Sequence, residues 1–226
     1  MLNNERDDVL MWVSSKNIST ISDIKQGTIV CLKSDESVLN TSCNYIFSDN
    51  PRNAFRLILN AFFAPKQSYS IAQTAKIDPS VVLGENVFIG ENVVIEAASN
   101  IGNHVVIGHN TVIHTHTIIK NHVKIGSNCV IGSVGFGYEK DDNGEYVFIP
   151  HIGNVVLDEC VEIGNCTVID KAVLGSTLLK KNVKVDNLVH IAHGVEIGEN
   201  SLIIANAMIG GSTKIGKMYG LRHRVL

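Results

Sequence analysis

The chain has 226 residues, of which 45% are hydrophobic and 18% are charged, and its formal net charge is −3. This composition is that of a globular protein, and the scattered charge forms no basic stripe for nucleic acid. No apolar run approaches the roughly 18 residues of a membrane span, and the N-terminus lacks an apolar signal core. We therefore expect a cytoplasmic protein with no membrane span and no nucleic-acid partner.

Residues 1–68 show no regular period and are expected to form a small α/β domain. The segments TIVCL (28–32) and YIF (45–47) predict two short strands. Asp49, Asn50 and Pro51 predict the start of a helix through RNAFRLILNAFF, because proline is favoured in the first helical turn. Pro65 ends that helix.

Residues 69–219 form a second domain in which an aliphatic residue recurs at every sixth position, in three phases over 77–131, 157–169 and 179–215. A helix of 3.6 residues per turn cannot keep a period of six on one face, and simple strand alternation does not explain the Gly or Asn at fixed phase. A short strand followed by a tight corner does, with Gly or Asn tolerating positive φ there. Three such units close a triangle of about 18 residues, so the period predicts a parallel β-helix. The inward positions are Ile77, Leu83, Ile89, Ile95, Ile101, Ile107, Ile113, Ile119, Ile125, Ile131, then Leu157, Ile163, Ile169, then Leu179, Val185, Ile191, Ile197, Ile203, Ile209 and Ile215.

The period is interrupted twice. Residues 134–151, VGFGYEKDDNGEYVFIPH, hold turn residues and aromatic residues and predict a long loop ejected from the prism. A smaller slip falls at 174–178. Five cysteines without a CxxC pair indicate reduced thiols rather than disulfides or a zinc site, and Cys129 takes an inward position.

The segment VDNLVHIAHGVEIG contains the candidate catalytic residues. Asn187 and His193 are six residues apart and each follows an aliphatic position by two, so both occupy equivalent outward corners. A neutral imidazole can take a proton from an attacking amine or hydroxyl, and an amide can hold a developing oxyanion. Asp186 is the immediate neighbour of Asn187. This combination suits acyl transfer without a covalent enzyme intermediate.

The GFGY loop, the IAH segment and GGSTKIG together resemble the UDP-3-O-acylglucosamine N-acyltransferase family of lipid A synthesis, over about residues 69–216. The resemblance implies a left-handed winding of the β-helix and a homotrimer with active sites in the grooves between subunits. It implies acyl carrier protein and a UDP-sugar as partners, with a 3-hydroxyacyl chain passing from the carrier's phosphopantetheine to a glucosamine 2-amine. No resident cofactor or metal is expected.

The same resemblance assigns roles to individual residues. His193 would be the general base, with Asn187 at the oxyanion and Asp186 beside it. Phe136 and Tyr138 would lie in the loop that meets the neighbouring subunit, and His190 would join them in binding substrate.

The sequence departs from the family pattern at both ends. The repeat stops after Ile215, His223 does not occupy a matching motif, and residues 220–226 are expected to be an irregular tail, as in a C-terminally truncated member. Residues 28–38 stand where the family has its uridine-contacting segment and do not match its pattern, in a shortened N-terminal domain.

Three alternatives stay open. One is an acetyl-CoA-dependent nucleotide-sugar acetyltransferase on the same scaffold, and another is an inactive truncated paralogue. The third is a zinc enzyme using His109 and His114, whose five-residue spacing also occurs in γ-type carbonic anhydrases of this fold.

Overall fold

A computed structural model describes residues 9–24, 26–39 and 42–220. The chain divides after Gln67 into two compact units, an N-terminal unit and a second unit beginning at Ser68. The sequence places this boundary one residue later. No helix in the described ranges is long and apolar enough to cross a membrane.

The N-terminal unit contains a parallel three-stranded sheet and one main helix. Its strands are β1 (Leu10–Trp12), β2 (Thr28–Cys31) and β3 (Asn44–Phe47), in the order β1-β2-β3. Two 3₁₀ helices, Ser15–Asp23 and Lys33–Val38, connect them and were not predicted. Helix α1 (Pro51–Ile58) begins where the sequence indicates, with the Asn50 side chain accepting a hydrogen bond from the Asn53 amide, and continues as a π-helix at Leu59–Phe63.

The second unit is a left-handed parallel β-helix with three flat faces, as the period and the family resemblance predict. Within each face a strand pairs with the strands of the preceding and the following coil, except at the two ends, where it has one partner strand. Most strands have only two residues because a corner follows. The first face contains β4 (Lys76–Ile77), β7 (Val94–Ile95), β10 (Val112–Ile113), β13 (Val130–Ser133), β18 (Val168–Asp170), β21 (His190–Ile191) and β24 (Met208–Ile209). The second face contains β5 (Val82–Leu83), β8 (Asn100–Ile101), β11 (Ile118–Ile119), β16 (Asn154–Leu157), β19 (Ser176–Leu179), β22 (Glu196–Ile197) and β25 (Lys214–Ile215). The third face contains β6 (Phe88–Ile89), β9 (Val106–Ile107), β12 (Lys124–Ile125), β17 (Glu162–Ile163), β20 (Lys184–Val185) and β23 (Leu202–Ile203).

The aliphatic residues of the period fill the interior of the prism. From Ile89 to Ile209 every one of them is buried, and the small residues four positions later, such as Val93, Thr111 and Thr117, are buried with them. The inward threonine hydroxyls donate to backbone carbonyls, Thr111 to Gly126 at 2.8 Å and Thr117 to His114 at 2.7 Å. Each buried Ile contributes roughly 1.5–3 kcal/mol. The prediction of the core positions is confirmed.

Gly and Asn have different roles at the corners of the prism. Gly84, Gly108 and Gly198, which follow aliphatic residues, have no positive φ, and a Cβ on each would approach the backbone of the next coil to 2.5–2.6 Å. These glycines therefore allow stacked coils to approach closely. The left-handed conformation belongs to the residue two positions further on, as at Asn92 (φ 56°) and Asn128 (φ 56°). The prediction of positive φ at the corners is confirmed for Asn, whereas these three glycines serve close approach instead.

Both interruptions of the period open at one edge of the prism. We name the edge between the first and second faces the first edge, that between the second and third faces the second edge, and that between the third and first faces the third edge. Residues 134–153 leave the prism between β13 and β16, and 171–175 bulge between β18 and β19. The long insertion folds into an antiparallel hairpin, β14 (Tyr138–Lys140) with β15 (Tyr146–Phe148). The first edge is therefore the elaborated edge, and the other two follow the plain repeat.

Candidate functional site

His193 lies at the corner between β21 and β22 on the first edge and is partly buried. Gly194 takes the left-handed position beside it (φ 68°). The imidazole is packed between two glycines: an added Cβ on Gly135 would lie 3.0 Å from its Cβ and Cδ2, and one on Gly211 would lie 2.7 Å from its Nε2. Within the described part of the chain, no hydrogen bond reaches the His193 ring nitrogens. The ring is thus held by packing between these two glycines.

A second imidazole packs against His193. His151, at the end of the inserted loop, is buried, and its ring centroid is 5.3 Å from that of His193 in a T-shaped contact. Its Nδ1 lies 2.8 Å from the carbonyl oxygen of Ile149. Its Nε2 is buried and has no hydrogen-bond partner in the described structure.

A buried carboxylate fastens the base of the inserted loop. Asp170, at the end of β18, accepts a hydrogen bond from the Ser133 hydroxyl at 2.7 Å, where the loop leaves the prism. Its other oxygen lies 3.0 Å from Nε2 of His190 on β21. The predicted substrate-binding residue His190 is therefore anchored to the loop base through Asp170.

The loop carries a series of rings that ends at His193. Phe136, Tyr138, Phe148 and His151 follow one another at centroid distances of 5.1, 5.6 and 5.5 Å. Phe136 is 86% exposed although it is large and apolar. An open cavity of ≈ 620 Å³ lies against this loop, lined by Phe136, Gly137, Tyr138, Tyr146 and Ile149. Phe136 and Tyr138 thus lie on the same edge as His193 and offer it an apolar surface.

Asn187 and Asp186 lie on the third edge, away from His193. Asn187 Oδ1 accepts hydrogen bonds from the backbone and side-chain nitrogens of Asn165, and its Nδ2 donates to Asp186 at 3.0 Å. The six residues from Asn187 to His193 run along the whole first face, which spans up to about 20 Å in extended chain. The two residues occupy equivalent corners, as expected, but one chain does not bring them into one site.

The two histidines of the zinc alternative, His109 and His114, also lie on different edges. His109 lies on the third edge, where its Nδ1 accepts from the Glu91 amide at 2.8 Å. His114 lies on the first edge beside Glu96, at 3.1 Å. No group of three or more His, Cys, Asp or Glu side chains in the described ranges is arranged to hold a metal ion. His223 lies outside the described residues.

Four residues of this site escape the sequence reasoning: His151, Asp170, Gly135 and Gly211. His151 is 42 residues before His193 and reaches it only because the insertion folds back onto the edge from which it left. The usable signal was the insertion itself, since both interruptions mark the edge that carries His193. The six-residue period cannot predict the position of residues that lie outside it.

Comparison with known proteins supports this architecture. Residues 176–211 match the family model "Bacterial transferase hexapeptide (six repeats)", and residues 66–138 match "GMPPB C-terminal domain". The solved UDP-N-acetylglucosamine acyltransferase of Bacteroides fragilis 9343 is 26% identical, with a TM-score of 0.52 over 66% of this chain and 54% of that one. The fold and the edge imidazole define an acyltransferase of the hexapeptide-repeat class.

Curated relatives narrow the class. The UDP-3-O-acylglucosamine N-acyltransferase of Campylobacter lari is 48% identical over 96% of this chain and 72% of its own length. That of Helicobacter pylori J99 is 41% identical over 88% of this chain and 63% of its own length. The chain belongs to the UDP-3-O-acylglucosamine N-acyltransferase family. These relatives favour the lipid A interpretation over the acetyl-CoA alternative.

Proposed function

We propose that this chain, as a homotrimer in the cytoplasm, transfers a 3-hydroxyacyl chain from acyl carrier protein to the 2-amine of UDP-3-O-acylglucosamine. The observation that carries the proposal is the His193 imidazole, which stands between Gly135 and Gly211 at the one edge where the repeat is elaborated. Family membership supports the reaction type and the sugar substrate.

The reaction needs a base at the attacking nitrogen. The amine attacks the thioester carbon, the new C–N bond forms, and His193 takes the proton that the nitrogen loses. When the tetrahedral intermediate collapses, the C–S bond breaks and the proton passes from His193 to the departing thiolate. The products are an amide and the free thiol of the phosphopantetheine arm. A positioned imidazole contributes typically about 10²–10⁴-fold to such a step.

The developing oxyanion needs a donor, which we assign to the third edge of a neighbouring subunit. A threefold ring is built from heterologous interfaces, so it joins two different surface patches. The third edge of one prism can then face the first edge of the next and bring Asn187, with Asp186 beside it, near His193. Leu188, the chain neighbour of Asn187, is 57% exposed, and Met208, which pairs with His190 on the first face, is 73% exposed. These exposed apolar side chains support burial of this region in an assembly.

The inserted loop suits the apolar part of the substrates. Phe136 and Tyr138 line the open cavity on the His193 edge, and an acyl chain buried there would gain about 25 cal/mol for each Å² removed from water. His190, held by Asp170, lies on the outer surface of the first face and completes the proposed substrate-binding set.

Replacing His193 by Ala tests the assignment of the base. We expect turnover of the acyl-carrier-protein substrate to fall at least about a hundredfold, the low end of a general-base effect. Thermal unfolding should stay near that of the wild type, because the ring is only partly buried. Unchanged turnover in a folded variant would reject His193 as the base, and a wild-type chain without turnover would reject the proposed reaction.

A further inference from the structure

The His151 Nε2 is a buried polar atom that has no hydrogen-bond partner among the described residues. A carbonyl oxygen can only accept a hydrogen bond, so the contact with Ile149 at 2.8 Å requires the proton on Nδ1 of His151. In the neutral ring, Nε2 then carries a lone pair, and leaving such an acceptor unsatisfied costs roughly 1–3 kcal/mol. A buried, unsatisfied polar group beside a proposed catalytic residue calls for a functional explanation.

His193, in turn, lacks an acceptor for the N–H of its ring among the described residues. A histidine base works best when its second nitrogen is held by an acceptor, which fixes the tautomer and the direction of the ring. Within the described ranges no carboxylate or carbonyl holds either nitrogen of His193. The neighbouring carboxylate, Asp170, is already bonded to Ser133 and His190.

We propose that His151 is the residue that positions His193, by accepting a hydrogen bond from its Nδ1–H; the catalytic consequence rests on the function proposed above. In the present orientation, Cδ2 of His193 faces Gly135, and a Cβ there would also lie 2.8 Å from Nε2 of His151. A half-turn of the His193 ring about Cβ–Cγ places Nδ1 where Cδ2 lies. His151 Nε2 and the flipped Nδ1 then border the same point beside Gly135, and a small tilt of the T-shaped ring pair, whose centroids are 5.3 Å apart, completes the hydrogen bond.

This arrangement forms one continuous chain of hydrogen bonds. The carbonyl of Ile149 accepts from His151 Nδ1, and His151 Nε2 accepts from His193 Nδ1. His193 Nε2 is then left as the unprotonated nitrogen, facing the open side of the edge near Gly211. Every ring nitrogen except the reactive one has a partner, and the inserted loop thereby controls the orientation of the base.

The first test compares three variants of the full chain by steady-state kinetics. His151→Phe keeps a ring but removes the acceptor, and we expect kcat to fall at least about tenfold while KM for both substrates changes less than about threefold. His151→Gln restores an acceptor through its side-chain oxygen and should recover most of kcat. Val147→Ala changes an exposed side chain of the same hairpin and should leave kcat within about threefold of wild type.

The second test does not depend on turnover. In protein labelled with ¹⁵N at histidine, we expect His193 in a single tautomer with the proton on Nδ1, and a mixture of tautomers in His151→Phe. A wild-type mixture of tautomers overturns the proposal. So does a Val147→Ala variant as slow as His151→Phe, because the loss would then reflect a general sensitivity of the loop to substitution. Failure of the proposed reaction would appear separately, as wild-type protein with the expected tautomer and no turnover.

Discussion

At the scale of single residues, the site depends on two glycines that the period does not explain. Gly135 lies between the two imidazoles and Gly211 lies against the nitrogen side of His193. Neither has the positive φ that usually accounts for a glycine. Both are needed because a side chain would occupy the space of a functional ring.

Gly135→Ala should therefore impair turnover more than folding. The added methyl would lie 2.8 Å from His151 Nε2 and 3.0 Å from His193, so one ring must move. We expect kcat to fall at least about tenfold, with a stability loss of about 1–3 kcal/mol from overpacking. The matched control is Gly216→Ala, whose methyl meets nothing within 4 Å. Equal kinetics for the two variants would mean that the rings at Gly135 do not need their present positions.

The Asp170 carboxylate contributes to stability, because its hydrogen bonds join the base of the inserted loop to the first face. Asp170→Ala leaves the Ser133 hydroxyl and the His190 ring without their shared acceptor, and we expect a loss of about 1–3 kcal/mol. Residues 134–151 should also be cleaved faster by a protease at low dose. His190→Ala keeps the Ser133 contact and should show a smaller effect in both measurements; the reverse order would contradict this role.

Among the elements, a two-residue strand has one side chain packed in the interior and one facing solvent. In β11, Ile119 is 1% exposed and Ile118 is 36% exposed. Ile119→Ala leaves a cavity in a closed interior and should cost about 2–5 kcal/mol in chemical unfolding. Ile118→Ala has the same chemistry on the outer side and should cost less than about 1 kcal/mol. Similar losses for both would contradict the assigned inward phase.

The stacked coils also make the thiol of Cys129 part of the core. It is fully buried, and burial raises the pKa of this thiol. The thiolate is the reactive form of cysteine, so this residue acts as a small apolar side chain. The inward position predicted for Cys129 is confirmed.

At the scale of the whole molecule, the separation of Asn187 and His193 on two edges makes the oligomer testable. If each site takes His193 from one subunit and Asn187 from its neighbour, inactive His193→Ala and Asn187→Ala chains can complement each other. Random mixing in a threefold ring leaves about a quarter of the interfaces with both intact residues.

We therefore expect chains unfolded and refolded together at equal amounts to regain about a quarter of wild-type turnover. Each variant refolded alone provides the background, and gel filtration should give the same assembly for all samples. If mixing restores nothing although mixed assemblies form, Asn187 and His193 do not act across a subunit interface.

The six-residue period is enough to predict the prism and its inward residues. Few backbone conformations are compatible with a strict period of six. The inward position of each Ile, Leu or Val can therefore be predicted without knowledge of contacts between residues far apart in sequence. It also located His193 at an outward corner, because the corner phase follows from the same count. The edge on which each corner lies becomes known from the fold, which separates Asn187 and His193 within one chain.

The partners of His193 were decided by folding of the insertion. Residues 134–153 obey no period, so nothing in their order shows that the loop returns to the first edge and brings His151 and Gly135 against a ring more than 40 residues later in the chain. The repeating coils can be predicted from local sequence, because each coil packs against coils of the same pattern. A non-repeating loop takes its position from contacts between residues far apart in sequence, and those contacts exist only once the prism has formed.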